Sequence, residues 1–145
     1  MKPFAKAGFT LIEALISLTV IAFCLLLLSW LPSQRITQQI ESRLFFDQLT
    51  SELNLAQEIS LIQQETVLVR FSVQAPEIIF YLTGTATPYA LLEVPNHWQV
   101  RTNFLLTYLP NGRIAQFTTV YFSHEDGRSV GLAFQLGSGR FEIQF

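Results

Sequence analysis

The chain has 145 residues, half of them hydrophobic and 14% charged, which leaves room for one small domain and directs attention to a membrane segment first. Both lysines, Lys2 and Lys6, fall in the first eight residues, so the chain beyond them carries seven arginines against eleven acids, a balance of −4. A polyanion binder needs a cationic surplus, which argues against direct DNA binding, and the single cysteine, Cys24, excludes an intramolecular disulfide.

From Phe9 to Leu31 the chain is apolar apart from Glu13 and the small polar residues Thr10, Ser17, Thr19 and Ser29. A helix of this length extends about 34 Å at ~1.5 Å per residue, enough to cross a bilayer's hydrocarbon core. The hydroxyls can bond back onto their own helix. Lys2 and Lys6 precede the segment and no positive charge follows until Arg35, so the expected orientation is N-terminus in the cytoplasm and C-terminus outside. Glu13 is out of place in such a helix, costing up to roughly 2.5 to 3.5 kcal/mol on insertion scales. Either it lies shallow enough to reach head groups, or it awaits a cation brought by another chain. A secretory signal peptide fits less well: the run is long, an acid sits near its start, and Ser29-Trp30-Leu31-Pro32-Ser33 lacks a small-x-small cleavage pattern.

Lys6-Ala7-Gly8-Phe9-Thr10-Leu11-Ile12-Glu13-Ala14-Leu15 resembles the processing motif of type IV prepilins and pseudopilins. The resemblance implies a leader over residues 1–8 with Lys2 and Lys6 as its charges, and cleavage between Gly8 and Phe9 by a prepilin peptidase. It further implies N-methylation of the new terminus at Phe9, and an assembly role in which Glu13 pairs with the Phe9 amine of a neighbouring subunit. Two opposite charges entering an apolar environment cost less when they meet. Phe9 and Glu13 are also four residues apart, so a contact within one helix is a rival. Many major pilins carry a proline within this helix, whereas here the nearest is Pro32, close to its end.

Residues 9–31 are thus the expected transmembrane helix and residues 32–65 its amphipathic continuation, since Ile36, Ile40, Leu44, Leu49, Leu53, Ala56 and Ile59 recur at helical spacing without glycine or proline from Ser33 to Glu65. The charges Glu41, Asp47, Glu52, Glu58, Arg35 and Arg43 read as its solvated side. Residues 66–145 are the expected antiparallel β domain, with strands at 66–73, 77–82, 90–94, 98–102, 104–109, 113–122, 129–136 and 140–145. Turns at Pro110-Asn111-Gly112, Glu125-Asp126-Gly127 and Gly137-Ser138-Gly139 make the last four an expected meander. Phe141, Ile143 and Phe145 alternate onto one face that the helix can cover. The fold class is therefore α+β and pilin-like: a long N-terminal helix packed on an antiparallel sheet.

The residues from Tyr108 through Pro110-Asn111-Gly112-Arg113 to Gly137-Ser138-Gly139-Arg140 are similar to the β-domain ending of minor pseudopilins of the general-secretion H type and the competence D type, leaving residues 74–100 unmatched. That likeness implies a minor pseudopilin of a competence pseudopilus supporting DNA uptake. Its implied partners are the prepilin peptidase, other major and minor pseudopilins and, indirectly, the assembly ATPase and membrane platform. A minor pseudopilin of a type II secretion system is the alternative. The third reading is a signal-anchored surface-binding module using Tyr81, Tyr89 or Trp98. Of the two histidines, His97 and His124, the latter stands in a turn where solvation is expected, with weak metal coordination alongside Glu125 and Asp126 its lesser alternative. No nucleophile elbow or phosphate loop is present, so the chain reads as a non-enzyme without metal or cofactor.

Overall fold

The structure, a computed structural model, describes residues 10–29, 33–135 and 137–144. The chain divides into two units, residues 1–37 and 38–145. Helix α1 spans Leu11–Ser29 and α2 spans Ser33–Gln63. The two cover the membrane-spanning and amphipathic parts of the expected single helix, and Trp30, Leu31 and Pro32 between them lie outside the described residues. Eight strands follow: β1 Val67–Phe71, β2 Glu77–Leu82, β3 Ala90–Glu93, β4 Trp98–Val100, β5 Phe104–Tyr108, β6 Thr119–His124, β7 Ser129–Phe134 and β8 Phe141–Gln144.

The α+β order and the antiparallel pairing are as the sequence led one to expect, with the strands divided between two sheets. The first has the order β3-β2-β1-β5 and the second β4-β6-β7-β8. Each strand alternates between the two faces of its sheet, and the inward residues of both sheets meet the buried face of α2. Phe122 joins the three parts: its ring lies 5.9 Å from Phe45, 5.6 Å from Phe46 and 6.5 Å from Phe71, each edge-on. Val67, Val69, Ile78, Phe80 and Leu106 complete the core from the first sheet, and Val120, Leu132 and Phe134 from the second. Phe141 and Ile143 pack against it in part; Phe145 lies outside the described residues.

Two expectations need correction. Only β6, β7 and β8 form the meander, because β5 pairs with β1, placing Leu106 opposite Val69 and Tyr108 opposite Val67. The Pro110-Asn111-Gly112 turn closes with Gly112 N–H donating to Leu109 O at 2.8 Å, and a single bridge joins Tyr108 to Ile114. The chain then crosses to the second sheet, so β6 begins at Thr119 and not at residue 113. In α2 the buried side chains are Phe45, Phe46, Leu49, Leu53, Ala56 and Ser60, whereas Ile36, Ile40 and Leu44 are exposed. The step from Leu44 to Leu49 is five residues, about 140° around a helix of ~3.6 residues per turn, so Ile36, Ile40 and Leu44 fall on the side away from Phe45 and Leu49.

Candidate functional site

The processing residues Lys2, Lys6, Gly8 and Phe9 lie outside the described residues, and Glu13 is the member of the motif whose setting the structure gives. It stands in the first turn of α1. Thr10 O accepts from Glu13 N–H at 3.0 Å and Ala14 N–H at 3.2 Å, opening the helix. A carboxylate in this turn faces unsatisfied N–H groups and the positive end of the helix dipole. Ser17 Oγ donates to Glu13 O at 2.8 Å, Thr19 Oγ1 to Ile16 O at 2.8 Å and Ser29 Oγ to Leu25 O at 3.0 Å. The small polar side chains are thus satisfied within the helix, and the Glu13 carboxylate has no ion-pair partner among the described residues. None of α1's side chains is buried, and the helix is long and apolar enough to cross a membrane.

A second polar cluster, not foreseen from the sequence, joins α2 to the second sheet. His97 and His124 are both buried, with rings 5.0 Å apart; the turn histidine expected in solvent is instead packed 4.9 Å from the Trp98 ring. The cause is register: β4 and β6 pair Trp98 with His124, and both point inward. Ser42 Oγ donates to Gln38 O at 2.7 Å and accepts from Trp98 Nε1–H at 2.9 Å. His97 Nε2 lies 3.1 Å from the same oxygen, and Glu41 Oε2 lies 3.8 Å from His97 Nδ1. Serine, histidine and glutamate in this order have the outline of a nucleophile, base and orienting acid. The bonding runs the other way: with its hydrogen on Gln38 O, the Ser42 oxygen accepts from His97 and presents no proton for it to remove.

His124 Nδ1 accepts from Asp126 N–H at 3.1 Å and lies 2.8 Å from Asp126 Oδ1. Desolvation pushes the Asp126 carboxyl up, but is outweighed by the Arg128 backbone N–H and guanidinium together with His124, which hold it below the ordinary carboxylate range. Among the described residues no three of His, Cys, Asp and Glu gather as metal ligands.

Burial also groups Glu52, Tyr89 and Tyr108. The Glu52 Oε2, Tyr89 OH and Tyr108 OH atoms are enclosed without a hydrogen-bond partner among the described residues. Desolvation, then the Glu52 charge, pushes the Tyr89 phenol up to about 12. Tyr108, fully buried, is raised further by desolvation and then by Tyr89. Tyr81 is half-buried under the Arg70 guanidinium, 5.3 Å from its ring centre, and Trp98 is buried. A groove of about 330 Å³ is lined by Val73–Pro76, Val94, Asn96 and residues 98–100, with no titratable side chain in its wall.

The two glycine-rich turns that carried the C-terminal resemblance are packed on one side chain. Gln57 Nε2 donates to Gly112 O at 2.9 Å and to Ser138 O at 3.2 Å. Gly112 has φ +71° and Gly139 φ +69°; a Cβ at Gly112 would stand 2.8 Å from the Leu61 side chain, and one at Gly139 would run into Gln57 and the Gly112 carbonyl. These glycines permit close approach to α2, a structural role and not a ligand cradle.

Residues 4–29 match the family model of the prokaryotic N-terminal methylation motif. No curated protein and no solved structure matches the chain. The matched segment contains Gly8, Phe9 and Glu13 and runs to the last residue of α1. It supports a type IV pilin-like or pseudopilin chain that undergoes prepilin processing and assembles with other pilins, and the single apolar N-terminal helix fits a membrane-anchored, surface-assembled subunit.

Proposed function

We propose that the chain is a minor pseudopilin of a competence pseudopilus that supports DNA uptake, and that it is a structural subunit and not an enzyme. Prepilin peptidase cuts after Gly8, Phe9 becomes the N-methylated terminus, and the new amine meets Glu13 of a neighbouring subunit. Before assembly the N-terminus is cytoplasmic and the β domain extracellular; the platform and ATPase act on the fibre as a whole. The observation that carries the reading is Glu13, without an ion-pair partner among the described residues, in the first turn of an apolar helix inside the methylation-motif match. A carboxylate entering lipid there is offset by a cation that another chain supplies. The outward apolar row of Ile36, Ile40 and Leu44 on α2 gives a helix bundle further surface to close on.

The N-terminus of the membrane-extracted protein tests processing: a chain beginning at N-methylated Phe9 is expected, and an intact Met1 in cells that contain the peptidase contradicts it. Deleting the gene separates the machines. Loss of transformation with unchanged protein export is expected; lost export with normal transformation would favour the secretion reading.

A further inference from the structure

The two sheets differ in what they turn outward. On the second sheet the outward positions are polar or small, among them Gln99, Ser123, Ser129, Glu142 and Gln144, with Tyr121 lying across Gly131. That is ordinary for an antiparallel sheet with one face in water. On the first sheet the outward positions mix aliphatic and polar side chains: Leu68, Ile79, Tyr81, Leu91 and Leu105 stand with Arg70, Glu77, Glu93 and Thr107. Its register aligns Leu105, Arg70, Ile79 and Leu91 in one row across all four strands, and Leu91 is 56% and Leu105 45% exposed. Beside this row Leu68 faces Tyr81, both half-buried. Scattered exposed leucines need no explanation; a contiguous group on neighbouring strands, Leu91 beside Ile79 with Tyr81 and Leu68 next to them, marks a contact surface.

The acids on this face define what can cover it. Glu77 stands directly opposite Glu93 across β2 and β3, a like-charge pair that costs stability. Among the described residues no cation lies within ion-pair distance of either, and Arg70, on the same face, has its guanidinium over Tyr81. A partner that buries Leu91 also takes the adjoining carboxylates out of water, which is strongly unfavourable unless a positive group meets them. A second copy is poorly suited: beyond its leader it has no lysine and a balance of seven arginines to eleven acids, and it would bring the same acid pair to the contact.

We propose that the outer face of the first sheet docks a different chain, through an aliphatic patch carrying a lysine or arginine that reaches between Glu77 and Glu93. That this chain is a fellow subunit of the fibre rests on the function proposed above. The face is built largely from β2 and β3, within the residue 74–100 region that carried no resemblance.

The test uses the full-length chain in its own cells, with the photoreactive residue benzoylphenylalanine replacing Leu91 or, as control, Tyr121. The expected result is an adduct from position 91 to one different chain, at a peptide bearing Lys or Arg, on the order of tenfold stronger than from position 121. Combining Glu77→Lys with Glu93→Lys should reduce that adduct by a similar factor, and reversing the partner's cation to Glu should restore it. The shape-preserving pair Glu77→Gln and Glu93→Gln should also weaken it if the charges matter. Equal adducts from both positions, an adduct only to a second copy, or indifference to both charge variants would overturn the proposal. The N-terminus is read on the same sample: an uncut chain contradicts the pilin reading, whereas the adduct pattern decides the docking surface either way.

Discussion

In α1, nineteen residues turn apolar side chains in every direction and none is buried, whereas α2 from Phe45 to Ala56 buries one face and leaves the other to solvent. The two helices have different addressees. The α2 face is completed by strands of the same chain, so its sequence is amphipathic and most of its polar residues are outward, Glu52 and Ser60 excepted. Among the described residues no side chain of α1 is buried; its apolar surface suits lipid or the helices of other subunits, and its lone acid suits a charge from outside. Stability of the β domain should therefore depend on α2 and not on α1, and assembly on α1.

The largest expected effect sharpens this contrast. Phe122→Ala removes the ring on which Phe45, Phe46 and Phe71 converge and should cost about 3 to 5 kcal/mol in denaturant unfolding of the detergent-solubilised chain. Leu18→Ala in α1 should leave that transition in place; an equal loss would break the contrast. Next comes Gly139→Ala, which places a Cβ against Gln57 and Gly112 at positive φ and should cost roughly 1 to 3 kcal/mol by the same measurement. Tolerance of it would mean that the turn is not held on α2 as described.

Smaller effects probe the buried polar groups. Tyr108→Phe removes a hydroxyl that has no hydrogen-bond partner among the described residues, so stability should stay within about 1 kcal/mol of the parent or rise. The raised phenols also set an alkaline limit. Tyr89 is near 10 unfolded and about 12 folded, so the stability it gives is full below pH about 10 and is lost as pH climbs towards about 12. An unfolding limb in that window, shallower in Tyr108→Phe, is expected from tyrosinate absorbance. Smallest is Asp126, whose carboxyl is held low by Arg128 and His124 against desolvation. Its contribution is present above the usual carboxylate pKa near 4 and lost as pH falls below it, so Asp126→Asn should slightly flatten the acid limb.

Local patterns in the sequence located the elements well, because strand and helix periodicities are written in neighbouring residues. Each of the eight expected strands has a counterpart, with β6 the most displaced. Partnerships across the chain were not legible. Nothing near Phe104 announces that β5 joins β1, since that choice depends on residues some thirty positions away. The buried His97–His124 contact was hidden for the same reason: a histidine beside Glu125-Asp126-Gly127 looks like a turn residue until β4 pairs Trp98 with it. In α2 the Phe45-Phe46 doublet outweighed the aliphatic spacing of Ile40 and Leu44, because only the former face meets Phe122. For the candidate site, the string from Gly8 to Glu13 is contiguous and falls inside the family-model match over residues 4–29, so recognising it asks nothing of the fold.

The most direct test of this division of labour is Glu13→Gln in cells carrying the full assembly machinery. The neutral variant should still be cut after Gly8 and remain in the membrane with its β domain folded, yet be lost from sheared fibres. Incorporation at the parental level would show that the acid in α1 does not wait for a charge from a neighbouring chain.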